Sequence, residues 1–478
     1  MFDQRDRQIS ERTDLHSFEE SLRLWPNLPS ELKAGLVGND IEIPGRYGKR
    51  KLIYADYVAS GRALQQVEKF VLENVLPYYA NSHTEASYCG GYMTRMREDA
   101  RKVILEKCHG NSDEHAVVFS GSGATLALNK LVHLFGIREA LSNRKQVHVL
   151  VGPYEHHSNL LPWRESGAQV TEIAEAETGG PDPEHLRSVL GAVAGKGIVI
   201  AAFSAASNVT GIGADVAGIT AIVKNAGGKV VWDYAGGGPY LPIDMNPDGA
   251  AIDGIALSPH KFLGGPGASG VLIVRRDAVV ADRPGIPGGG TVAFVNDHVH
   301  DYLSRIEDRE EGGTPNIVGD IRAALVMMVK DALGHDFITR RNAELTRKAI
   351  DAWKDNPSIK LLGGTRTDRL PILSFVVADG QSGAFDYQLF TRALSDFYGI
   401  QARGGCACAG PYVHKLLRIE SDQSDRLRSK ILAGDDSVKP GFVRLNLSVL
   451  MSDPEAGYIL NAVLDLASRI SEVKGMYS

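Results

Sequence analysis

The segment QARGGCACAGPY (401–412) carries two of the four cysteines of the chain, Cys406 and Cys408, separated by one residue. Cysteines at this spacing serve as half of a metal site, as a redox pair, or as a loop that presents one nucleophilic thiol. A structural zinc site needs four ligands, and Cys89 and Cys108 lack CxxC or Cys/His spacing. No metal site is therefore predicted, and the other two interpretations stay open.

Two charged residues stand at the ends of apolar runs. Lys261 follows the run GIALS, stands beside His260 and precedes a glycine-rich turn. A lysine kept near apolar walls has a lowered pKa and can form a Schiff base, although a solvated lysine is commoner at a strand end. Asp233 ends the run KVVWD, where a carboxylate is costly unless it is paired. Each residue also has an ordinary structural explanation, so a functional interpretation needs further partners.

A turn of small residues connects a predicted strand to a predicted helix in FSGSGATLALNKLV (119–132). The backbone N–H groups of Gly123, Ala124 and Thr125 can surround a phosphate at such a helix N-terminus. The segment is neither a Walker loop nor a GxGxxG fingerprint, and many turns of this kind bind nothing. By itself it indicates only a possible anion site.

Three further polar residues follow apolar runs. His156 and His157 lie in GPYEHHSNLLPW, and Asn208 lies in SAASNVTG. One imidazole could stack on a flat ring and move protons, whereas a metal pair is disfavoured because adjacent residues on a strand point to opposite faces. Asn208 could reach a ring substituent or a substrate carboxylate, although a turn-forming asparagine is commoner.

The elements that position these residues follow an α/β pattern from about residue 51. Short apolar runs, each followed by a turn signal and a longer amphipathic stretch, predict buried strands of a mostly parallel sheet. LALNKLVHLFGI and AGITAIVKNAGG fit the intervening helices. The predicted strands are KLIYAD, AVVFSG, QVHVLVG, IVIAAFS, KVVWD, GIALS and GVLIV.

Three regions are predicted along the chain. Residues 1–50 are polar with scattered apolar positions, which predicts short helices packed on a larger body. Residues 51–320 form the large domain, and a long helix over 319–334 leads out of it. Residues 321–478 form a smaller α+β domain with strands in LPILSFVV and GFVRLNLSVL and a closing helix in EAGYILNAVLDLASRI. Within it, the charged segment 413–440 is predicted to be a partly helical surface insertion.

The composition excludes several functional classes. With a net charge of −6 and no basic run, the 478-residue chain is not predicted to bind nucleic acid or anionic membranes. Four cysteines indicate a reducing compartment rather than a disulfide framework. The charged N-terminus lacks the apolar core of a signal peptide, and no run of about 18 apolar residues could span a bilayer. The predicted location is cytoplasmic.

The order of these motifs resembles that of fold-type I pyridoxal phosphate (PLP) enzymes. More narrowly, the chain resembles the class V aminotransferase family, in the branch of cysteine desulfurases and selenocysteine lyases, from about residue 51 to the C-terminus. The resemblance implies an α/β fold with a mostly parallel seven-stranded sheet in the large lobe and a smaller α+β C-terminal lobe. The segments that carry it are YADYVAS, SGAT, EHHSNLLPW, SNVTG, WDYAG, SPHK, GGTPN, RGGCACAGP and FVRLNLS.

This resemblance assigns a role to each cofactor-binding candidate. Lys261 is expected to form the Schiff base with PLP, His156 to stack on its ring, and Asp233 to pair with its pyridine nitrogen. Thr314 is expected to bind the phosphate of the neighbouring subunit, which implies a homodimer with shared active sites. The family usually has Gln or His where this chain has Gly236. The other expected cofactor contacts are Ser122, Gly123, Ala124, Thr125, Asn208, Ser258 and His260.

The resemblance also implies the reaction. Arg444 is expected to bind the substrate α-carboxylate, with Arg403 as a second candidate and Asn208 on the same side. Aligning Arg403 and Pro411 with the family pattern puts Cys408 at the persulfide-forming position. Cys406 is then either a relay or resolving thiol or a passive loop residue.

The implied activity is conversion of L-cysteine, or a related sulfur amino acid, to L-alanine, with a persulfide for a sulfur-acceptor protein. The alternatives are another C–S or C–Se lyase on the same scaffold and an inactive PLP-fold scaffold in a sulfur-transfer assembly.

Overall fold

The computed structural model describes residues 14–82, 85–379 and 383–477. The strands are β1 (Glu42–Gly45), β2 (Gly48–Lys51), β3 (Ile53–Tyr54), β4 (His115–Phe119), β5 (Val147–Val151), β6 (Gln169–Glu172), β7 (Ile198–Ser204), β8 (Lys229–Asp233), β9 (Gly254–Leu257), β10 (Val271–Arg275), β11 (Val292–Val295), β12 (His300–Tyr302), β13 (Ile359–Leu361), β14 (Ile372–Val377), β15 (Ile400–Gln401), β16 (Arg403–Gly405) and β17 (Phe442–Asn446).

Helices connect and cover these strands. They are α1 (Asp14–Arg23), α2 (Leu28–Ala34), α3 (Gln65–Phe70), α4 (Tyr88–Glu106), α5 (Ala124–Leu134), α6 (Ile137–Ser142), α7 (Leu161–Glu165), α8 (Pro183–Val193), α9 (Val216–Asn225), α10 (Ile306–Glu310), α11 (Ile317–Leu333), α12 (His335–Trp353), α13 (Tyr387–Tyr398), α14 (Gly410–Leu417), α15 (Ser421–Leu432), α16 (Asp453–Ser468) and α17 (Ile470–Tyr477).

The large lobe is built on a seven-stranded sheet with the strand order β4-β10-β9-β8-β7-β5-β6. β10 is antiparallel to β4 and β9, and the other neighbours are parallel. Alternate residues of β4 enter different core clusters, Val117 on one face of the sheet and Val118 on the other. Helices therefore cover both faces, as parallel strands require. The carboxyl ends of β4, β5, β7, β8 and β9 meet at one edge, where open α/β sheets bind ligands.

The predicted seven-stranded sheet is confirmed, but one of its strands differs from the prediction. Six of the seven predicted runs belong to it, but the assignment of KLIYAD to it is wrong. Within that run, Ile53 and Tyr54 form β3, which pairs in parallel with β15, and neighbouring Ala55 packs in the core of the smaller lobe. The seventh strand is β6, which the sequence analysis missed. β6 is an edge strand whose sequence QVTE is short, partly polar and only half-buried, so it lacks the apolar run of a central strand.

The smaller lobe carries an antiparallel sheet with the order β13-β14-β17-β16. Its core is filled by aromatic side chains, among them Trp353, Phe375 and Phe390, together with the apolar faces of α12, α13 and α16. Both predicted strands of this lobe and its closing helix are present. β16 and β17 bring Arg403 and Arg444 to the boundary between the lobes. The predicted domain boundaries at residues 51 and 321 stay predictions.

Helices occur in both additional segments, although residues 1–13 of the first lie outside the described part of the chain. α1 and α2 pack on the large lobe through Leu15, Phe18, Leu22 and Leu32. The charged segment after the cysteine loop forms α14 and α15, and α15 has no buried residue. α15 therefore lies on the surface, as expected for an insertion.

Two classes of site are not found in the described part of the chain. None of its helices combines the length and the apolarity that a membrane span requires. Across residues 14–82, 85–379 and 383–477, His, Cys, Asp and Glu do not form any group of three suited to hold a metal ion.

Candidate active site

A cavity of about 270 Å³ opens at the carboxyl edge of the large sheet. Its volume lies near the lower end of the range of roughly 300–1,000 Å³ that ligand pockets occupy. β16, β17 and the cysteine loop close the cavity from the smaller lobe, so both lobes contribute to one site. The predicted residues that line it are Ser122, Ala124, Thr125, His156, Asn208, Asp233, Ser258, His260, Lys261, Arg403, Cys408 and Arg444.

Two predicted residues do not line this cavity. Gly123 lies directly behind the lining, because a Cβ atom built on it would be 2.7 Å from His260 Cε1. Thr314 is exposed between α10 and α11 and does not reach the cavity of its own chain. Its expected contact with a neighbouring subunit, and the homodimer that this contact implies, stay predictions.

Lys261 and Asp233 reach the cavity from the ends of neighbouring strands. Burial lowers the pKa of Lys261 to about 8, and Asp233 opposes this shift through its charge, without a hydrogen bond to the amine. Burial raises the pKa of Asp233, although the N–H of Ala235 donates to its Oδ1 at 2.7 Å. A buried carboxylate that faces a cavity is stabilised by a cationic partner there. A protonated ring nitrogen would supply that partner.

The turn before α5 forms a cradle for an anion. Gly123 has φ 77° and ψ −167°, a combination that is essentially restricted to glycine. The N–H of Ala124 donates to Ser258 Oγ at 3.0 Å, and Thr125 Oγ1 lies 2.7 Å from Ser158 Oγ. The N-terminus of this 11-residue helix carries a partial positive charge. These features suit a phosphate group.

Replacing Gly123 with alanine is expected to weaken PLP binding by about tenfold or more, because the strain and the collision with His260 together cost on the order of 1–3 kcal/mol. Titration of the apoprotein with PLP, followed by absorbance, measures the dissociation constant. Gly191→Ala is the matched control, because a Cβ atom at Gly191 would meet no atom within 4 Å. Equal PLP affinities of the two variants would contradict the cradle.

His156 presents a neutral ring to the cavity. Burial lowers its pKa to about 4, and the charge of Lys261 adds to this effect. The N–H of Ser158 donates to His156 Nδ1 at 3.1 Å, so Nδ1 is the acceptor and the proton of the neutral ring is on Nε2. A neutral imidazole of fixed orientation can stack on a planar ring.

This lowered pKa predicts a loss of stability in acid. The unfolded chain binds a proton near the ordinary histidine pKa of 6.5, whereas folded His156 binds it only near pH 4. The free energy of unfolding therefore falls as the pH decreases from 6.5 to 4, by at most about 1.4 kcal/mol per pH unit for this residue. His156→Gln should flatten this dependence in urea unfolding at a series of pH values, whereas exposed His298→Gln should not. If the free energy of unfolding depended on pH in the same way in the wild type and both variants, His156 would be excluded as a source of the acid destabilisation.

A buried carboxylate joins the two predicted carboxylate-binding arginines. Asp56 Oδ1 accepts from Arg444 Nη2 and Asp56 Oδ2 accepts from Arg403 Nε, both at 2.9 Å. Arg444 Nη1 also donates to Asn208 O at 3.1 Å. Both guanidinium groups stay charged, so the trio carries one net positive charge. This charge matches one substrate carboxylate, and Arg403, which is half exposed, has the freedom to bind it.

The cysteine loop is a tight left-handed turn. Ala407 and Cys408 have φ values of 50° and 54°, and the N–H of Ala409 donates to Cys406 O at 3.2 Å. Positive φ at both central residues is typical of a type I′ turn, where glycine and asparagine are preferred. Alanine and cysteine there cost on the order of 1–3 kcal/mol each. The turn places Cys408, and not Cys406, on the cavity wall.

Three residues near the site were missed as candidates. Asp56 lies in the quoted segment YADYVAS, His157 is half of the noted histidine pair, and Glu155 precedes it. Glu155 is fully buried and accepts from Ser204 N–H at 2.8 Å and Asn159 Nδ2 at 2.6 Å, and burial raises its pKa to about 8. Its hydrogen bonds anchor the segment after β5 that carries both histidines. The sequence signal that could have identified such residues is a polar residue close after an apolar run.

Gly236 also lines the cavity. A Cβ atom at this position would lie 3.2 Å from Ala206 O and 3.6 Å from Asn208 Cβ. The first contact is tighter than ordinary packing, so a longer side chain would need a local shift. Asn208 therefore packs next to the place where the family usually has Gln or His.

The residues present fit PLP. The site offers a buried amine, a buried carboxylate open to the cavity, a neutral imidazole, and a glycine turn that a Cβ atom would obstruct. Each of these groups matches one part of the cofactor: the aldehyde, the ring nitrogen, the ring face and the phosphate.

Comparisons with known proteins identify relatives of this chain. The family model described as aminotransferase class-V matches residues 53–434. A probable cysteine desulfurase from Pyrococcus abyssi is 27% identical over 373 residues, which cover 77% of this chain and 87% of the relative. A cysteine desulfurase from Enterobacter sp. is 29% identical over 368 residues, which cover 75% of this chain and 85% of the relative.

Solved structures show the same fold. The apo structure of a cysteine desulfurase from Thermococcus onnurineus has a TM-score of 0.71 at 24% identity, covering 87% of this chain and 95% of that chain. A cysteine desulfurase from Escherichia coli has a TM-score of 0.71 at 22% identity, covering 92% of this chain and 98% of that chain. Because the family model matches most of the sequence, this protein belongs to the class-V aminotransferase family, whose members depend on PLP.

Proposed function

We propose that the protein is a cysteine desulfurase that transfers the sulfur of L-cysteine to Cys408 and releases L-alanine. One observation carries this proposal: Cys408 lines the same cavity as the buried amine of Lys261 and the arginine pair. A simple amino-acid lyase needs no thiol there. The names of the Pyrococcus and Enterobacter relatives support the same activity.

In this proposal four groups of residues would hold the cofactor. Lys261 would bind its aldehyde carbon, Asp233 would pair with its ring nitrogen, and His156 would stack on its ring. Thr125, Ser258 and the N-terminus of α5 would bind its phosphate. When bound, PLP supplies an electron sink beside the α-carbon of the amino acid.

Lys261 is also the group best placed to move the α-proton. Its pKa of about 8 leaves about a tenth of the amine neutral at pH 7, far more than an ordinary lysine would have. A base with a pKa near the working pH transfers protons efficiently. Asp233, held in place by the Ala235 N–H, would pair with the ring nitrogen of the cofactor.

The arginines orient the substrate. Arg403 and Arg444 bind the α-carboxylate, and Asp56 fixes their mutual position from behind. The bound amino acid then presents its sulfur in the same cavity that Cys408 lines. A guanidinium group binds a carboxylate through two parallel hydrogen bonds, which sets orientation as well as affinity.

The sulfur step is redox-neutral. The Cys408 thiolate attacks the substrate sulfur, the bond between that sulfur and the substrate β-carbon breaks, and a new S–S bond forms on the enzyme. The β-carbon gains a proton, so cysteine and an enzyme thiol become alanine and an enzyme persulfide. The terminal sulfur of that persulfide is then available to an acceptor.

The partners and location follow from the same proposal. A sulfur-acceptor protein receives the persulfide sulfur, and the enzyme acts as a homodimer in which Thr314 binds the cofactor phosphate of its neighbour. The location is cytoplasmic. The four cysteines support it, because all of them are free thiols.

A product assay tests the activity. The PLP-loaded enzyme is incubated with L-cysteine and a thiol reductant, and alanine and pyruvate are quantified. We expect alanine and sulfide in equal amounts, because the reductant releases the persulfide sulfur. Pyruvate and ammonia without alanine would identify a lyase instead, and no product with cysteine or selenocysteine would indicate an inactive scaffold.

A further inference from the structure

The strained cysteine turn is held by three hydrogen bonds from the large lobe. Asn208 Nδ2 donates to Ala407 O at 2.8 Å. The backbone N–H of His157 donates to Cys408 O at 2.8 Å. The N–H of Gly410 donates to His157 Nε2 at 3.0 Å. Both carbonyl groups of the strained residues, and the first N–H of α14, therefore have partners outside the turn.

His157 provides two of these three contacts. It follows β5 in a single 3-10 turn, where His156 faces the cavity and His157 faces the cysteine loop. Because its Nε2 accepts a hydrogen bond, the ring is neutral and carries its proton on Nδ1. Burial and the nearby Arg164 lower the pKa of His157, which favours this neutral form. One short segment thus connects the ring site to the nucleophile.

The turn decides which of the two thiols faces the cavity. Cys408 lines the cavity with Arg403 and Arg444, and Cys406 does not. Cys406 instead packs against the buried cluster that includes Tyr412 and Phe442, and it lies near Tyr387. Relaxation of the turn would remove Cys408 from the cavity wall.

We propose that His157 is a positioning residue for Cys408: with Asn208 it holds residues 406–409 in the left-handed turn that places the Cys408 thiol in the cavity with Arg403 and Arg444. The role of the Cys408 thiol as sulfur carrier rests on the proposed function, whereas its placement by His157 does not. The sulfur-carrier role and the placement are therefore tested by separate experiments.

The test compares two alkylating reagents on the PLP-loaded enzyme without substrate. Iodoacetate carries a carboxylate and iodoacetamide is neutral, so a thiol beside the arginines prefers iodoacetate. Peptide mass spectrometry gives the rate of each reagent at each cysteine. We expect the ratio of the iodoacetate rate to the iodoacetamide rate at Cys408 to fall by about fivefold in His157→Ala. This factor corresponds to the loss of one hydrogen bond that holds the turn. The ratio at Cys406 should stay unchanged.

Two matched variants separate positioning from a general structural effect. His157→Gln keeps a side-chain acceptor for the Gly410 N–H and should keep the ratio within about twofold of the wild type. Adding Ala407→Gly to His157→Ala should restore most of the ratio, because glycine adopts positive φ without strain. If His157→Ala does not fold, Asn208→Ala with and without Ala407→Gly gives the same comparison.

An unchanged ratio at Cys408 in His157→Ala would overturn the proposal, as would a loss that Ala407→Gly does not reverse. Absence of a persulfide in the wild type would refute the sulfur-carrier role and leave this result unaffected.

Discussion

Cys408→Ser is expected to reduce alanine formation from L-cysteine on the order of a thousandfold or more, because a serine hydroxyl is a far weaker nucleophile toward sulfur than a thiolate. Cofactor binding should be unchanged, because none of the groups expected to hold the cofactor belongs to Cys408. Steady-state alanine assays and the visible absorbance of the bound cofactor check both parts.

Cys406→Ser is the matched control for this variant. Cys406 is two residues away in the same turn but does not line the cavity, so alanine formation should stay within about twofold of the wild type. Equal losses in both variants would show that the loop matters only for folding. Undiminished turnover in Cys408→Ser would indicate a lyase that expels sulfide without a protein nucleophile.

Lys261→Ala is expected to abolish the covalent attachment of PLP and to reduce turnover by at least about a thousandfold, because it removes both the attachment point and the proton-transfer group. Borohydride reduction of the wild type, followed by peptide mass spectrometry, should place the modification on Lys261. In the variant, the modification and the visible absorbance band should both be lost.

Lys330 supplies the control for burial. It is a second lysine whose pKa burial lowers to about 8, but its amine donates to Leu241 O and lies over the Phe262 ring, and it does not line the cavity that contains Cys408 and Asp233. Lys330→Met should keep the covalent attachment of PLP to Lys261. Modification of Lys330, or of several lysines equally, would contradict the assignment of Lys261.

The sequence predicted most of the fold because the central strands are buried on both faces and must be apolar. Burial also explains why KLIYAD was wrongly assigned to the large sheet and why β6 was missed. Ile53 is apolar because it packs in the smaller lobe, whereas β6 at the sheet edge tolerates polar residues. A run of apolar residues indicates burial, but it does not say which core buries it.

The chemistry of the site was predictable because polar residues directly follow buried strands. The contacts among those residues were not. Asp56 and Arg444 are separated by 388 positions in the sequence, so nothing local indicated their ion pair. The left-handed turn at Ala407 and Cys408 was also hidden, because neither residue type favours positive φ. His157 could be recognised as a contact of that turn only from the structure.

The central claim is that Cys408 accepts the substrate sulfur. The most direct measurement incubates the PLP-loaded enzyme with L-cysteine and no reductant, digests it with trypsin, and sequences residues 404–415, GGCACAGPYVHK, by mass spectrometry. We predict one added sulfur atom on Cys408 and one equivalent of alanine. Added sulfur on Cys406 alone, or alanine without any sulfur on this peptide, would contradict the account.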